Sequence, residues 1–258
     1  MTSSNPSALT GDSLAGKEAA AVDDEGPAPH FKYDFEELEG GIFIWHASLV
    51  LLRYLRNKER RKKIAGSRIL ELGSGLGHLG HAMARMGAEV ICTDQKKCLG
   101  DLQKSLAHQD TLYGKPEDSG GSIRTVELDW GEEGWSQCEL SKEEQAPFDF
   151  IISAELVYLE ETHDLLLWTM QKLCSPQTII YSVFINRPFS WNFFAKLDDM
   201  KVFEVEQLDE DKDFDACGLE ECHMHKIYLL PPKEKEKETE AEAEAPPKEA
   251  AEKAEEAS

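Results

Sequence analysis

The chain has 258 residues, 41% hydrophobic and 30% charged, with a formal net charge of −22 and a pI near 4.7. That length holds one substantial α/β domain with a buried core and tails, and leaves little room for a second full domain. Acidity on this scale works against non-specific binding to nucleic-acid phosphates or an anionic membrane, and favours a basic partner.

No apolar run approaches the ~20 residues of a membrane span. The N-terminus carries neither a basic-then-apolar signal pattern nor an Arg-rich transit pattern, so an intracellular, cytoplasmic protein is expected. Six cysteines, at 92, 98, 138, 174, 217 and 222, show no C-x-x-C spacing and read as reduced thiols. Residues 1–30 are rich in Ser, Ala, Gly, Pro and acids, which predicts a disordered tail. Two short extended pieces follow on either side of Gly40 and Gly41. Residues 45–58 carry Trp45, Leu49, Leu52 and Leu55 three and four apart, the spacing of an amphipathic helix. Its basic end, Arg53 through Lys63, reads as a solvated face, with a nuclear-localisation segment, and hence the nucleus as a second compartment, as the alternative.

Residues 68–72 form a short apolar run ending in glycines, as a buried parallel strand would. Gly73, Gly75 and Gly77 allow a sharp turn and close approach to a ligand, and a helix over 78–86 points its free N–H groups at that place. A second strand over 88–93 ends in Asp94, roughly ~20 residues beyond the glycines, where a carboxylate meets ribose hydroxyls. A nucleoside pocket is the expectation. Gly75-Leu76-Gly77-His78-Leu79-Gly80 also satisfies the dinucleotide pattern G-x-G-x-x-G, so a dinucleotide-dependent (NAD) oxidoreductase is the competing reading. Glu71 tilts the choice, because a carboxylate at the strand end repels a diphosphate and tolerates a cationic cofactor such as S-adenosylmethionine.

The pattern continues with a helix over 98–112, a strand over 123–128, an acidic loop over 132–147, a strand over 148–153 and a helix over 160–174. A strand over 177–184 and a helix over 189–200 follow, then strands over 201–206 and 224–230. Alternation of this kind predicts helices on both faces of a mostly parallel sheet. Ligands then bind beyond the carboxyl ends of the strands, the rim to which Asp129, Trp130 and residues 154–158 are delivered. A strand cap and a core tryptophan explain Asp129 and Trp130 almost as well. Cys217, Cys222, His223 and His225 cluster, but the histidines alternate along a strand, so a solvated face is expected rather than a metal site. Residues 231–258 contain ten Glu and five Lys and no apolar face, which predicts a second disordered tail. Its five surplus acids leave −17 on the remainder, so the folded part, 31–230, is acidic too.

Glu71-Leu72-Gly73-Ser74-Gly75-Leu76-Gly77 followed by Thr93-Asp94 resembles the cofactor site of the class I, seven-strand methyltransferases. The segment from Gly41 to Leu55, through Gly41, Trp45, Ala47, Tyr54 and Leu55, resembles the segment that precedes the glycine loop in the methyltransferase-like 21 group of protein lysine methyltransferases, within methyltransferase family 16. Asp129-Trp130-Gly131 and Glu155-Leu156-Val157-Tyr158 complete four motifs in the family's order, the last resembling its Asp/Glu-x-x-Tyr motif. The resemblance implies a Rossmann-like fold with an antiparallel terminal strand and S-adenosyl-L-methionine as cofactor. It implies that Trp45, Gln95, Asp129, Trp130 and Ala154 join Glu71, Gly73, Ser74, Gly75, Gly77 and Asp94 around that cofactor, and that Glu155 and Tyr158 handle the acceptor. The implied acceptor is a lysine of a non-histone protein, by analogy a translation factor or chaperone, modified by a monomeric enzyme. A catalytically silent binding module is the alternative on the same fold. Relatives acting on glutamine or nucleobases carry prolines in the fourth motif, and this chain has none there, so nucleic acid is not expected as substrate. Ser105 and Gln109 stand where the family commonly has two asparagines, which puts one structural contact in question.

Overall fold

A computed structural model of the chain describes residues 46–141 and 147–231. The expected tails, the extended pieces before Trp45 and Trp45 itself lie outside the described residues, apart from Pro231. Two helices, α1 (His46–Leu55) and α2 (Lys58–Ile64), lead into β1 (Arg68–Leu72). There follow α3 (His78–Arg85), β2 (Glu89–Asp94), α4 (Lys96–Tyr113), β3 (Ser122–Glu127), α5 (Glu132–Gln137) and β4 (Phe150–Ala154). The chain continues through α6 (His163–Leu173), β5 (Ile179–Ile185), α7 (Ser190–Asp199), β6 (Phe203–Gln207) and β7 (Cys222–Leu229).

The seven strands form one sheet in the order β3-β2-β1-β4-β5-β7-β6. Strands β1 to β5 pair in parallel, and β7 lies antiparallel between β5 and β6. This is the Rossmann-like architecture, with the antiparallel terminal strand that the family resemblance implied. The period-two alternation of β1 sorts its side chains onto two cores. Ile69 packs with α1, α3 and α4, while Leu70 and Leu72 pack with α6 and α7. Glu71 shares the face of Ile69 and so lies under α3. The strand order reverses between β1 and β4, and at that point a crevice opens beyond the strands' carboxyl ends.

Four expectations are corrected. The helix expected over 45–58 stops at Leu55, and Asn57 caps a separate α2 by accepting from the amide of Glu59 at 3.1 Å. The basic segment is solvated only in part. Arg60 lies 3.6 Å over the ring of Tyr54 and pairs with Asp211 and Asp213 at 3.3 and 3.0 Å, and Arg53 pairs with Asp215 at 3.0 Å. The acidic stretch between β6 and β7 is thereby held on α1 and α2, while Lys58, Lys62 and Lys63 stay exposed. The loop expected over 132–147 contains α5. Finally, His225 is buried among rings, with Phe194 at 4.3 Å and Phe184 stacked at 5.9 Å, and His223 bonds Asp209 at 2.6 Å. Neither histidine sits on a solvated face, because the aromatic side of α7 covers β7. Among the described residues no group of His, Cys, Asp and Glu is arranged to hold a metal ion, and no helix is long and apolar enough to cross a membrane.

Candidate active site

The crevice is a cavity of about 520 Å³ between the glycine loop and the turn after β4. Its cofactor wall is set by backbone geometry. Gly73 has φ +57°, a region that L side chains enter at a cost of roughly 1–2 kcal/mol, and a Cβ there would lie 2.6 Å from Leu156. Gly75, at φ +55°, has nothing within 4 Å of the same position, so its backbone faces open space. The loop is tied down from both sides. The Ser74 amide donates to the Thr93 carbonyl at 2.9 Å, and the Gly75 amide donates to the Asp94 carboxylate at 2.8 Å. Asp94 accepts from the Gln95 amide too, also at 2.8 Å.

Glu71 lines the cavity from below the loop. Its carboxylate accepts from the Gly80 amide and the Cys92 thiol, each at 3.2 Å, and burial pushes it up to about 7. Glu71 therefore repels a diphosphate with only part of a charge near neutral pH, which weakens that part of the sequence reading. A bound cation would favour its ionised form. The remaining lining groups carry the same preference. Asp94, Asp129 and Glu155 border the cavity, Lys97 is the one basic chain among the described lining residues apart from His78, and burial holds His78 down at about 4, neutral at physiological pH. Acids with a single lysine suit a cationic nucleoside without phosphates.

Ser74, Gln95, Trp130 and Ala154 line the cavity, and a Cβ at Gly73 would lie 3.5 Å from Trp130. Gly77 does not. It starts α3 and packs on Leu102 and Leu106 of α4. At the two departing positions, Gln109 is buried and donates to the Leu76 carbonyl at 3.0 Å and to Ser105 at 3.1 Å.

On the acceptor wall, Tyr158 is 45% exposed at the mouth, beside Leu159 at 39%. Glu155 is buried, at φ +60°, with its carboxylate accepting from the Ile185 amide at 3.0 Å and from Arg187 at 2.6 Å. The Arg187 guanidinium also lies 5.9 Å from the centre of the Tyr158 ring. Sequence reasoning missed Arg187. Its signal was its place just past the carboxyl end of β5, a rim position like that of Glu155 after β4.

The fold and cleft define a class I methyltransferase architecture, and the lining fits S-adenosylmethionine, the cofactor of that class. Residues 30–200 match the family model described as lysine methyltransferase, and the chain belongs to that family. Over 149 residues it is 34% identical to protein N-lysine methyltransferase METTL21A of Xenopus tropicalis, covering 58% of this chain and 62% of the relative. Over 140 residues it is 31% identical to EEF1A lysine methyltransferase 3 of Xenopus tropicalis, covering 54% of each. The chain thus spans somewhat over half the length of these curated relatives.

Proposed function

We propose that the protein transfers methyl groups from S-adenosylmethionine to a lysine side chain of a non-histone protein. The observation that carries this reading is the single cavity in which the glycine loop and Asp94 face the Tyr158 turn, in a chain of the lysine methyltransferase family. When bound, the cofactor supplies an electrophilic methyl group on a sulfonium. The glycine loop, through its open backbone at Gly75, would admit the nucleoside, Asp94 would accept from its hydroxyls, and Trp130 would pack beside it.

A lysine amine, with a reference pKa of ~10.4, arrives protonated and without the lone pair that attack requires. Tyr158 stands where such an amine would enter, with a ring face for the ammonium and a hydroxyl to align the nitrogen once a proton has passed to water. Glu155 was expected to meet the ammonium. With its oxygens held by Arg187 and Ile185, it acts instead as a positioning residue that fixes the turn presenting Tyr158. The relative named for EEF1A supports a translation factor as the substrate type, alongside the chaperone that family analogy suggests.

A thermal-shift assay separates this function from the dinucleotide alternative. S-adenosylhomocysteine is expected to raise the melting temperature and NAD to leave it unchanged; the reverse result would remove the proposal. Transfer of labelled methyl groups in a cell extract distinguishes an enzyme from a silent binding module.

A further inference from the structure

We propose that the turn from β5 into α7, centred on Phe189, is the docking surface for the substrate protein, and that it takes an apolar or aromatic side chain near the target lysine, with basic residues flanking it. This rests on the reading of the cleft as a lysine methyl-transfer site and adds what kind of sequence surrounds that lysine.

Phe189 is 58% exposed, the highest value among the exposed large hydrophobic side chains of the described residues, and its φ is +73°. A bulky aromatic residue in the left-handed region is an outlier, and here glycine would fit the backbone better. The conformation is not that of a loose loop. The Ser190 amide donates to the Arg187 carbonyl at 3.0 Å, the Arg187 amide to the Ser190 hydroxyl at 3.1 Å, and the Asn192 amide to the Phe189 carbonyl at 2.9 Å. Two residues on, Trp191 is 41% exposed while its indole rests on Phe184 and His223, with centroids 5.5 and 4.8 Å away. The turn therefore holds an aromatic side chain in water on a strained but fixed backbone.

Its position ties it to the mouth of the cleft. Arg187 bonds Glu155, and Asn192 donates to Glu160 at 2.7 Å, so the turn is clasped to the one that carries Tyr158 and Leu159. Exposed apolar groups at the mouth and on the clasped turn mark an interaction site better than scattered surface residues would.

Charge selects the occupant. Glu160 and Glu161 are exposed beside Tyr158, and Glu132 and Glu133 are exposed at the start of α5 on the same rim. Arg187 faces Glu155 and Lys196 faces Asp164, exposed Lys96 and Lys97 stand at the start of α4 on the cofactor side of the cavity, and the exposed lysines of α2 lie toward the other end of the strands, before β1. An anionic membrane, a nucleic acid or the same rim of a second copy would meet these acids with like charge. A basic protein segment carrying one apolar anchor matches both features.

The test uses the full chain, labelled S-adenosylmethionine and an array of lysine-centred peptides flanked either by Phe or Leu with Arg or Lys, or by Ser with Asp or Glu. The wild-type protein is expected to label the first set at least tenfold more than the second. Phe189→Gly removes the side chain and suits the φ, so its melting temperature is expected not to fall. It should raise KM for the preferred peptides at least tenfold, with kcat at saturation and S-adenosylhomocysteine affinity unchanged. Equal labelling of both sets, or an unchanged KM in Phe189→Gly, overturns the proposal. So does a wild-type protein that binds S-adenosylhomocysteine yet labels no peptide. Failure to bind S-adenosylhomocysteine at all would instead overturn the methyltransferase reading beneath it.

Discussion

The two walls of the cleft reach unusual backbone conformations by opposite means. On the cofactor wall Gly73 and Gly75 adopt φ near +55°, where a missing Cβ removes the steric cost. On the acceptor side Glu155 and Phe189 adopt φ of +60° and +73° with full side chains, and the fold must hold them there. For Glu155 the holding groups are the Ile185 amide and Arg187, thirty and thirty-two residues away in sequence. A glycine-built wall can be written locally in the chain. A wall of strained, paired side chains depends on the neighbouring strand, and its parts can be varied without touching the cofactor.

Substitutions should separate the two walls. The largest effect is expected for Gly73→Ala, where left-handed strain of roughly 1–2 kcal/mol adds to a collision with Leu156 worth about 1–3 kcal/mol. Denaturant titration should show a loss of about 3 kcal/mol, with S-adenosylhomocysteine affinity falling as well. Gly75→Ala meets open space and should lose only the strain, about 1–2 kcal/mol. Equal losses in the two variants would refute this account of the loop.

Next comes Tyr158→Ala, expected to slow methyl transfer about 100-fold, or roughly 2.7 kcal/mol of barrier, with cofactor affinity unchanged by calorimetry. Tyr158→Phe should be milder. Asp94→Ala should weaken cofactor binding by ~1.5–3 kcal/mol, since a charged acceptor is lost. Part of that loss reflects the Gly75 amide, which Asp94 also holds.

Glu155→Ala leaves Arg187 without its carboxylate. Removing one partner of a fully buried pair costs ~3–5 kcal/mol. Arg187 is 32% exposed, so about 2 kcal/mol of stability is expected. Kinetics should show the activity loss in kcat rather than in cofactor affinity; loss of cofactor affinity alone would join the two walls that we have separated.

A separate effect is on pH dependence. Burial raises Glu71 from 4.5 to about 7, so the folded protein binds a proton that the unfolded chain has released. The associated stability is fully present below pH 4.5 and is lost as pH rises through about 7, with a slope of at most about 1.4 kcal/mol per pH unit. Glu71→Gln should remove that slope from denaturation measured between pH 5 and pH 7.

This contrast also explains what the sequence made legible. The β1-glycine-α3-β2 unit and Asp94 could be read because hydrophobic period, glycines and spacing lie within one short stretch. The α2 start was written locally as well, in Asn57 two residues before Glu59, but the run of basic residues masked it. Nothing local announces that Arg187 meets Glu155 or that α7 buries His225. Both follow from β5 lying between β4 and β7, a pairing order that period-two patterns leave open. The reversed β7 came from the family resemblance, since alternation along a strand does not encode its direction.

The most direct test of the central claim is to incubate the protein with labelled S-adenosylmethionine and an extract of cells lacking it, then locate the label by tandem mass spectrometry. The account predicts a labelled methyl group on a lysine Nζ of a protein, lost with Tyr158→Ala although that variant still binds S-adenosylhomocysteine. Label on nucleic acid or a small molecule, or undiminished transfer by Tyr158→Ala, would contradict it.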